Sequence, residues 1–498
     1  MAEALCAWMD AMGRTGDAER AVTSAAEAVA SSPWRVVQEA GALARCQAAR
    51  ADRDLGLTAE LAVVGVDSAR AVVRVGAGQP FPLVDRAGSR RRGAFDTPRA
   101  MARRLACLTG GGRRGVDPAC GTGALLLAMA EQGVDELAGQ DIDPLALAVA
   151  RVAVPGASLR RGDAFEGSPE GDLLLTNPPF VSPEHQDKEL RRRLTAALPW
   201  LSGRFDLAVP FLALALGRLP QGAVAGVVSP ASLLFEPYGA PLRRRWLAED
   251  RLRAVGEPER FPGVGVRVAL LALERGGGPA SLPWAGGPHA SEVLRLETAP
   301  LDPRMRAGDV DLVEAARARA VELGALCEVD TGLVAHGPGG GKARLLCDGP
   351  GEGIVPFVDA RDLFAGRVRW LRYDPDRMHR PKRPGLFEGP KILVQRLRGD
   401  RPVAARVDRT GLYAGHTLTV VRPLDQRVPI ERLCALLTHP VIAGLLRVEG
   451  GGRLDLYPRP VRRVPVPKAW LEDPTTPLPD ALGLTRAQAV RLADLAPG

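Results

Sequence analysis

The side chains best suited to chemistry lie in the sequence Asn177-Pro178-Pro179-Phe180, directly after the apolar run Leu173–Thr176. Two consecutive prolines fix the backbone and remove two N–H donors, so we expect a stiff turn with outward-facing carbonyls. The side-chain oxygen of Asn177 and the carbonyl oxygen of Pro178 could then accept both hydrogens of a planar –NH2 group. Such contacts stabilise the positive charge that develops when an aromatic amine attacks an electrophile. Phe180 offers a ring for stacking an extruded base, although the motif alone would also suit a rigid strand-to-loop turn.

A glycine-rich turn lies upstream and reads Asp117-Pro118-Ala119-Cys120-Gly121-Thr122-Gly123. Glycines let a ligand approach the backbone closely, and the helix expected after the turn offers unpaired N–H groups. Asp141 closes the next predicted strand, where a carboxylate can accept hydrogen bonds from both hydroxyls of a ribose. Asp163 follows a third predicted strand and could accept from the exocyclic amine of an adenine. Leu126 replaces the third glycine of the dinucleotide fingerprint, which disfavours NAD as the ligand.

Short apolar runs alternate with amphipathic stretches between residues 93 and 274, and this alternation must position the candidate residues. The predicted strands are 115–117, 136–141, 173–176, 223–229 and 266–273, and the predicted helices are 124–132, 144–152 and 205–219. Strands and helices at this spacing are typical of βαβ units and a mainly parallel sheet. Ala-rich helical spacing precedes them, a charged helix is predicted at 309–324, and the region from about 325 to 470 looks mostly β.

Composition excludes several other classes of protein. The 498 residues carry a formal charge of +8, but only five of the 66 cations are lysine, so the global charge is weak evidence for an anionic partner. The seven cysteines form no C-x-x-C pair and the six histidines no H-x-x-x-H, so we expect no disulfide scaffold, no metal site and a reducing compartment. Short apolar runs and an acidic N-terminus predict a soluble cytoplasmic protein without membrane contact.

The charge is concentrated in residues 361–420. Fourteen Lys and Arg residues stand there against six Asp and Glu residues, and the excess equals the net charge of the whole chain. Aromatic residues are interleaved with the cations: Phe364, Trp370, Tyr373 and Phe387. This combination is typical of a surface that follows a phosphate backbone, although a solvated arginine-rich face would have the same composition.

Together the motifs resemble the S-adenosylmethionine-dependent DNA adenine-N6 methyltransferases, in the gamma-class order found in restriction–modification enzymes. The resemblance rests on Gly93-Ala94-Phe95-Asp96-Thr97-Pro98, Asp117-Pro118-x-Cys120-Gly121-x-Gly123, Gly139-x-Asp141-Ile142-Asp143-Pro144, Gly162-Asp163 and Asn177-Pro178-Pro179-Phe180. It covers roughly residues 90 to 275. One departure is Ala164, which stands where some members place an aromatic residue over the cofactor adenine.

The resemblance implies S-adenosyl-L-methionine as the cofactor and assigns roles to individual residues. The methionine part of the cofactor would be held by Thr97, Asp117, Cys120, Gly121 and Gly123. Asp141 would bind its ribose and Asp163 its adenine, while residues 177–180 would carry catalysis. Phe261, in Phe261-Pro262-Gly263, would stack on the flipped adenine opposite Phe180, although it could equally be a core aromatic.

We therefore expect an α/β fold with a Rossmann-like methyltransferase sheet, helices on both its faces, a helical N-terminal region and a mostly β target-recognition domain. The predicted division is 1–90 accessory region, 91–300 methyltransferase domain, 301–330 helical connector and 331–498 DNA-binding domain. The expected substrate is adenine N6 in double-stranded DNA, in restriction–modification or phage defence, with a separate restriction endonuclease or defence protein as a candidate partner. A methyltransferase of the same fold acting on RNA or on protein glutamine, and a non-catalytic DNA-recognition subunit, stay open as alternatives.

Overall fold

The computed structural model describes residues 17–41, 43–44, 97–261, 266–335, 345–396, 402–425, 429–452, 455–473 and 475–496, four isolated residues before 12, and the backbone of three strands between 61 and 82. Residues 93–96 of the first predicted cofactor motif lie outside this range, as do residues 262 and 263. Two compact units divide the chain, at residues 1–294 and 295–498. The four-part division expected from the sequence stays a prediction.

An eight-stranded sheet organises the first unit. The strands of this unit are β1 (Leu61–Asp67), β2 (Arg70–Val75), β3 (Gln79–Pro82), β4 (Arg114–Asp117), β5 (Glu136–Asp141), β6 (Ser158–Arg161), β7 (Leu173–Thr176), β8 (Val224–Pro230), β9 (Arg251–Val255), β10 (Glu259–Arg260) and β11 (Arg267–Glu274). The order in the large sheet is β10-β11-β8-β7-β4-β5-β6, and β9 also pairs with β11. Strands β4 to β8 are parallel, whereas β11 runs antiparallel to β8. The predicted mainly parallel sheet is confirmed.

Helices connect and flank these strands. They span Arg99–Thr109, Ala124–Glu131, Pro144–Ala153, Lys188–Ala197, Ala208–Gly217, Ala231–Phe235, Ala240–Glu249 and Ala290–Arg295. The helix after β5 begins where Asp143 accepts a hydrogen bond from the Leu145 N–H at 2.9 Å and Pro144 occupies the first turn. Gly139 allows the helix after β4 to pack closely, since a Cβ there would lie 2.7 Å from Leu126 Cδ1.

The strand order creates a crevice between β4 and β7. After β4 the chain builds β5 and β6 on one side, and then returns to β7 on the other side of β4. At such a switch point the following loops diverge, which opens a ligand-binding crevice at the carboxyl ends of the strands. The register pairs Val116 with Leu174, so the ends of the two strands lie side by side.

Residues before the sheet pack on this unit. Helices Ala18–Ala28 and Pro33–Arg35, the latter continuing as a π-helix to Ala40, share one hydrophobic core with the helices around β4 and β5. Trp34 is buried there, and its indole N–H donates to Glu131 at 2.7 Å. Strands β1, β2 and β3 form a separate antiparallel sheet.

The second unit combines small sheets with helices. Its strands are β12 (Ala320–Glu322), β13 (Cys327–Thr331), β14 (Leu346–Cys347), β15 (Ile354–Val358), β16 (Arg369–Arg372), β17 (Lys391–Gln395), β18 (Ala405–Asp408), β19 (Tyr413–Ala414), β20 (Leu418–Pro423) and β21 (Pro465–Pro467). They form sheets in the orders β13-β20-β17-β18, β14-β16-β15-β19 and β12-β21. The helices span Asp309–Ala318, Leu323–Leu326, Ala360–Phe364, Ile430–Thr438, Pro440–Gly450, Pro458–Arg462, Lys468–Glu472, Leu478–Ala481 and Arg486–Leu495.

Two features of this unit differ from the sequence expectation. The helix predicted over 309–324 ends at Ala318, because residues Ala320–Glu322 pair with β21. Helices Ile430–Thr438 and Pro440–Gly450 lie in a region expected to be mostly β. Among the described residues no single helix is long and apolar enough to cross a bilayer; this pair meets the criterion only jointly and is bent by 58°.

Candidate active site

Four predicted polar residues lie at or just beyond the carboxyl ends of adjacent parallel strands. Asp117 ends β4, Asp141 ends β5, Asp163 follows β6 and Asn177 follows β7. Because these strands are neighbours in the order β7-β4-β5-β6, the side chains line one edge of the sheet. The edge includes the crevice between β4 and β7, which is where ligands bind in open α/β sheets.

Asn177 is held by a residue far away in the chain. Its amide nitrogen donates to the hydroxyl of Thr97 at 3.2 Å. Thr97 is only 5% exposed and lies two residues before the helix Arg99–Thr109, so the helix start fixes the position of the hydroxyl. With the nitrogen directed at Thr97, the amide oxygen lies on the opposite side of the group. Pro178 beside it is buried, which fixes the backbone of the turn.

Asp117 lies beneath the glycine turn and is 1% exposed. Its Oδ1 accepts from the backbone N–H of Ala119 and from the hydroxyl of Thr176, each at 3.1 Å. Burial raises the pKa of this carboxyl to about 7, against the opposing effect of those two donors. The sequence placed Asp117 at the site, but its bond to Thr176 has no signal in the sequence, since the two residues are 59 positions apart.

The glycine turn has the shape that a nucleoside-containing cofactor needs. Gly121 and Gly123 have φ angles of +52° and +90°, and Gly123 opens the helix Ala124–Glu131. A Cβ built on Gly121 would meet no atom within 4 Å, so the space beside this backbone is open to a ligand. Cys120 is buried under the turn, and burial raises the pKa of its thiol, which therefore stays neutral. Its backbone N–H donates to the carbonyl of Gln140 at 2.9 Å.

Asp141 joins this turn to the next strand end. Its Oδ2 accepts from the N–H of Gly121 at 2.8 Å, and its Oδ1 accepts from the N–H of Asp143 at 2.9 Å. Burial raises the pKa of this carboxyl as well. The adjacent Ile142 is 65% exposed, so its side chain is available to a ligand at this edge of the sheet.

The loop after β6 is held in a fixed shape. Asp163 accepts from the N–H of Phe165 at 2.9 Å, and Arg218 donates to the carbonyl of Ala164 at 2.7 Å. The ring of Phe165 packs edge-on against Phe211, with 6.1 Å between the ring centroids. The carboxylate of Asp163 is therefore positioned by its own loop, half-buried at the sheet edge.

Both candidate stacking rings lie in the hydrophobic core. Phe180 is 8% exposed and Phe261 is 4% exposed. The backbone N–H of Phe261 donates to the carbonyl of Val266 at 2.9 Å. Little of either ring face is open to solvent, so a base could stack there only if neighbouring groups moved aside.

A loop that the sequence analysis missed supports the turn at residues 177–180. Gln186 donates to the carbonyls of Val181 and Phe205 at 2.8 and 2.7 Å, and the Leu207 N–H donates to Val181 at 3.1 Å. Asp206 accepts from the backbone N–H groups of Ala208 and Val181, and burial raises its pKa to about 7. No spacing in the sequence marks these residues, because their contacts are with backbone atoms.

The basic stretch at 361–420 is partly internal. Of the twelve cations in this stretch that the structure describes, seven are ion-paired to carboxylates: Arg367, Arg369, Arg377, Lys382, Arg383, Lys391 and Arg409. Lys391 is fully buried, with Nζ 2.5 Å from Asp408 Oδ2, so it cannot reach a phosphate. Phe387, one of the interleaved aromatics, is also fully buried. The charge count of the sequence therefore overstates what this stretch presents to a partner.

Exposed cations nevertheless remain in this stretch. Arg361, Arg372 and Arg380 are exposed, and the structure shows no carboxylate partner for them among the residues it describes. Arg398 and Arg401 lie outside the described residues. The guanidinium of Arg396 lies 4.8 Å from the ring centroid of Tyr457.

Comparisons with known proteins match a family model to the part of the chain that carries the glycine turn, Asp141, Asp163 and Asn177. Residues 99–201 match the family model of the Methyltransferase small domain. The Type II methyltransferase M.BanIII of Aneurinibacillus aneurinilyticus is 30% identical over 193 residues, which are 32% of this chain and 33% of that protein. The chain thus spans about a third of the length of this curated relative.

Solved structures resemble a larger share of the chain. The Type IIL restriction-modification enzyme MmeI, in complex with DNA, aligns with 80% of this chain and 72% of its own at 12% identity, with a TM-score of 0.52. The type IIG restriction endonuclease BpuSI aligns with 82% of this chain and 66% of its own at 13% identity, with a TM-score of 0.39. The first unit has a methyltransferase fold, to which the chain adds β-rich sheets. The matched domain and this fold indicate S-adenosylmethionine as the cofactor.

Proposed function

We propose that this protein transfers a methyl group from S-adenosylmethionine to the N6 amine of adenine in double-stranded DNA. The observation that carries the proposal is the placement of Asn177 at the end of β7, beside the glycine turn, with its amide nitrogen directed at Thr97. In this turn the amide oxygen of Asn177 and the Pro178 carbonyl would act as two acceptors for an amine substrate. The matched Methyltransferase small domain covers both Asn177 and the glycine turn.

The chain's own residues would act by orientation rather than by base catalysis. The cofactor supplies an electrophilic methyl group whose bonding electron pair stays with the sulfur. Asn177 Oδ1 and the Pro178 carbonyl would accept the two N6 hydrogens, which directs the nitrogen lone pair at the methyl carbon. As the new C–N bond forms, these oxygens stabilise the positive charge on nitrogen, and one N6 proton then leaves to solvent. Pro179 would keep the turn rigid.

The cofactor would lie along the carboxyl edge of β4, β5 and β6. Thr97, Asp117, Cys120, Gly121 and Gly123 would surround its methionine part. The open space beside Gly121 and the left-handed glycines support this placement. Asp141 would bind the ribose and Asp163 the adenine amine, and the exposed Ile142 would cover a face of the adenine ring.

Phe180 and Phe261 would stack on a target base that has left the duplex. Because both rings are buried without DNA, entry of the base must uncover them. A duplex with 2-aminopurine at the target position should therefore gain fluorescence on binding, once the recognition sequence is known.

The DNA-binding surface would lie in residues 331–498, as in a gamma-class methyltransferase with a C-terminal target-recognition domain. Arg361, Arg372 and Arg380 are the cations that we propose for phosphate contacts, since they are exposed and have no carboxylate partner among the described residues. We further propose a cytoplasmic role in restriction–modification or phage defence, with cleavage supplied by a restriction endonuclease or another defence protein.

The proposal is tested by expressing the protein in a host that lacks DNA methylation and sequencing its genome with a modification-sensitive method. N6-methyladenine at one recurring sequence is expected in cells with the wild-type protein and absent with Asn177→Ala. Methyl groups found only on RNA or on protein glutamine would assign the same fold to another substrate. A protein that binds DNA but no cofactor would instead be a recognition subunit.

A further inference from the structure

We propose that Thr176 is a positioning residue that joins the cofactor turn to the catalytic amide through a buried hydrogen bond to Asp117. The inference rests on the proposed methyl transfer and extends it to a residue that none of the sequence motifs at 93–98, 117–123, 139–144, 162–163 and 177–180 includes. Thr176 is the last residue of β7 and directly precedes Asn177.

The contact between the two residues is dry and specific. Thr176 is fully buried, Asp117 is 1% exposed, and the threonine hydroxyl donates to Asp117 Oδ1 at 3.1 Å. The same carboxylate oxygen accepts from the N–H of Ala119, inside the glycine turn. A hydrogen bond to a charged group is strong where water is excluded, so this carboxylate is well suited to hold the two strand ends at a fixed spacing.

A second polar contact completes the arrangement around Asn177. Thr176 connects the backbone just before Asn177 to β4, while the Asn177 side chain is bonded to Thr97. Thr97 and Asp117 are therefore each hydrogen-bonded to one of two consecutive residues, Asn177 and Thr176 respectively. Their burial indicates that they orient the amide toward the cofactor, in addition to any contact that they make with the cofactor itself.

The burial of Thr176 also argues that its own role is indirect. A fully buried hydroxyl cannot touch a base or a cofactor unless the strand end opens. Its β-branched side chain suits a strand, but valine would fill the same space without a donor. A Thr176→Val substitution therefore removes the hydrogen bond while leaving the packing of the side chain nearly unchanged.

The test compares Thr176→Val with Thr176→Ser and with Thr109→Val in the full-length protein. Thr109 is a matched control: it is 2% exposed and its hydroxyl bonds backbone carbonyls at the far end of the helix Arg99–Thr109. Thr176→Val should lower kcat by about tenfold to a hundredfold with the DNA KM little changed, and Thr176→Ser should restore most of it. All three proteins should melt within a few degrees of one another. An unchanged kcat in Thr176→Val, or a loss that Thr176→Ser does not restore, would overturn the proposal.

A second readout needs no methyl transfer. The Thr176 hydroxyl favours the charged form of Asp117, whereas the nearby Asp141 carboxylate opposes it and the Cys120 thiol stays neutral. In calorimetric titrations with S-adenosylmethionine, the pH midpoint of binding should rise by up to about one pH unit in Thr176→Val and stay unchanged in Thr109→Val. If wild type methylates no DNA, the proposed function fails, and this shift still decides whether Thr176 acts on Asp117. A midpoint that does not move would contradict the coupling.

Discussion

Asn177 can act on an amine only if its amide keeps one orientation, and single residues in the structure provide that restraint. The bond from its nitrogen to the Thr97 hydroxyl, at 3.2 Å, holds the amide group in place beside the end of β7. An aspartate at this position would bring a full charge, and a serine would not reach as far. The sole asparagine of the chain lies directly after β7, where the proposed transfer needs a neutral amide oxygen.

Asp117 predicts a pH dependence for cofactor binding. Burial raises its pKa to about 7, so the carboxyl is charged above that pH and neutral below it. The cofactor carries positive charge, which favours the carboxylate. Its affinity should therefore weaken as the pH falls through 7, by at most tenfold per pH unit, and binding near pH 6.5 should release protons. Titration calorimetry in buffers of different ionisation enthalpy measures both effects.

The Asp117→Asn variant tests whether Asp117 causes the pH dependence of cofactor binding. Asp206, in the loop packed beside residues 177–180, also has its pKa raised to about 7 by burial, so wild-type data alone cannot assign the titration. With asparagine at position 117, the pH dependence of cofactor affinity should largely disappear. A variant that kept the wild-type profile would exclude Asp117 as its source.

The sequence located the individual polar residues better than their contacts. Asp117, Asp141 and Asn177 could be assigned because each lies at the end of a short apolar run, and such runs predict strands. The bond from Asn177 to Thr97 joins residues 80 positions apart, and Asp206 contacts backbone atoms. Neither kind of contact leaves a pattern in the sequence, because it depends on how the strand ends pack.

At the scale of elements, a buried ion pair joins two strands that the sequence analysis had assigned to a DNA-facing surface. Lys391 at the start of β17 contacts Asp408 at the end of β18, and its Nζ also donates to the Phe387 carbonyl at 2.5 Å. Asp408 in turn accepts from the N–H groups of Thr410 and Leu412. This charge serves to close a strand pair rather than to bind a partner.

Lys391→Met should therefore destabilise the second unit strongly. Removing one partner leaves the Asp408 carboxylate buried without its cation, which typically costs about 3–5 kcal/mol. Arg383→Met is a suitable comparison, because Arg383 and its partner Glu328 form a more exposed pair whose loss should cost much less. Chemical denaturation of the two variants measures the difference. Equal free energies of unfolding for the two variants would show that the buried Lys391–Asp408 pair stabilises the protein no more than the exposed pair does.

The central strands of the first unit were predicted accurately, whereas its helices Arg99–Thr109, Lys188–Ala197 and Ala240–Glu249 were missed. Strands β4, β5 and β7 were expected within one residue of their observed bounds, because buried runs bounded by Gly, Asp or Pro are clear signals. The helices Ile430–Thr438 and Pro440–Gly450 were missed. The region from 325 to 470 is rich in Val, Arg, Gly and Pro, and this average composition predicts β structure. It gives no sign of two short helices with buried leucines.

At the scale of the whole molecule, the net charge of +8 predicts DNA binding less well than the positions and partners of the individual charges do. The excess lies in residues 361–420, yet seven of the twelve cations that the structure describes there are paired to carboxylates. Arg361→Ala and Arg372→Ala should each reduce the salt dependence of DNA binding by about one unit of slope in log Kd against log salt. Arg409→Ala, which removes a cation paired to Glu431, should leave the slope unchanged. Equal effects of all three variants would mean that carboxylate pairing does not decide which arginines meet phosphate.

The central claim, that Asn177 directs methyl transfer to adenine N6, is tested most directly with purified protein, duplex DNA and methyl-tritiated S-adenosylmethionine. After digestion to nucleosides, the label from the wild-type reaction should elute with N6-methyldeoxyadenosine. Asn177→Ala should transfer label about a hundredfold to a thousandfold more slowly while binding the cofactor with nearly unchanged affinity. Label on another nucleoside, or a wild-type rate in Asn177→Ala, would contradict the account.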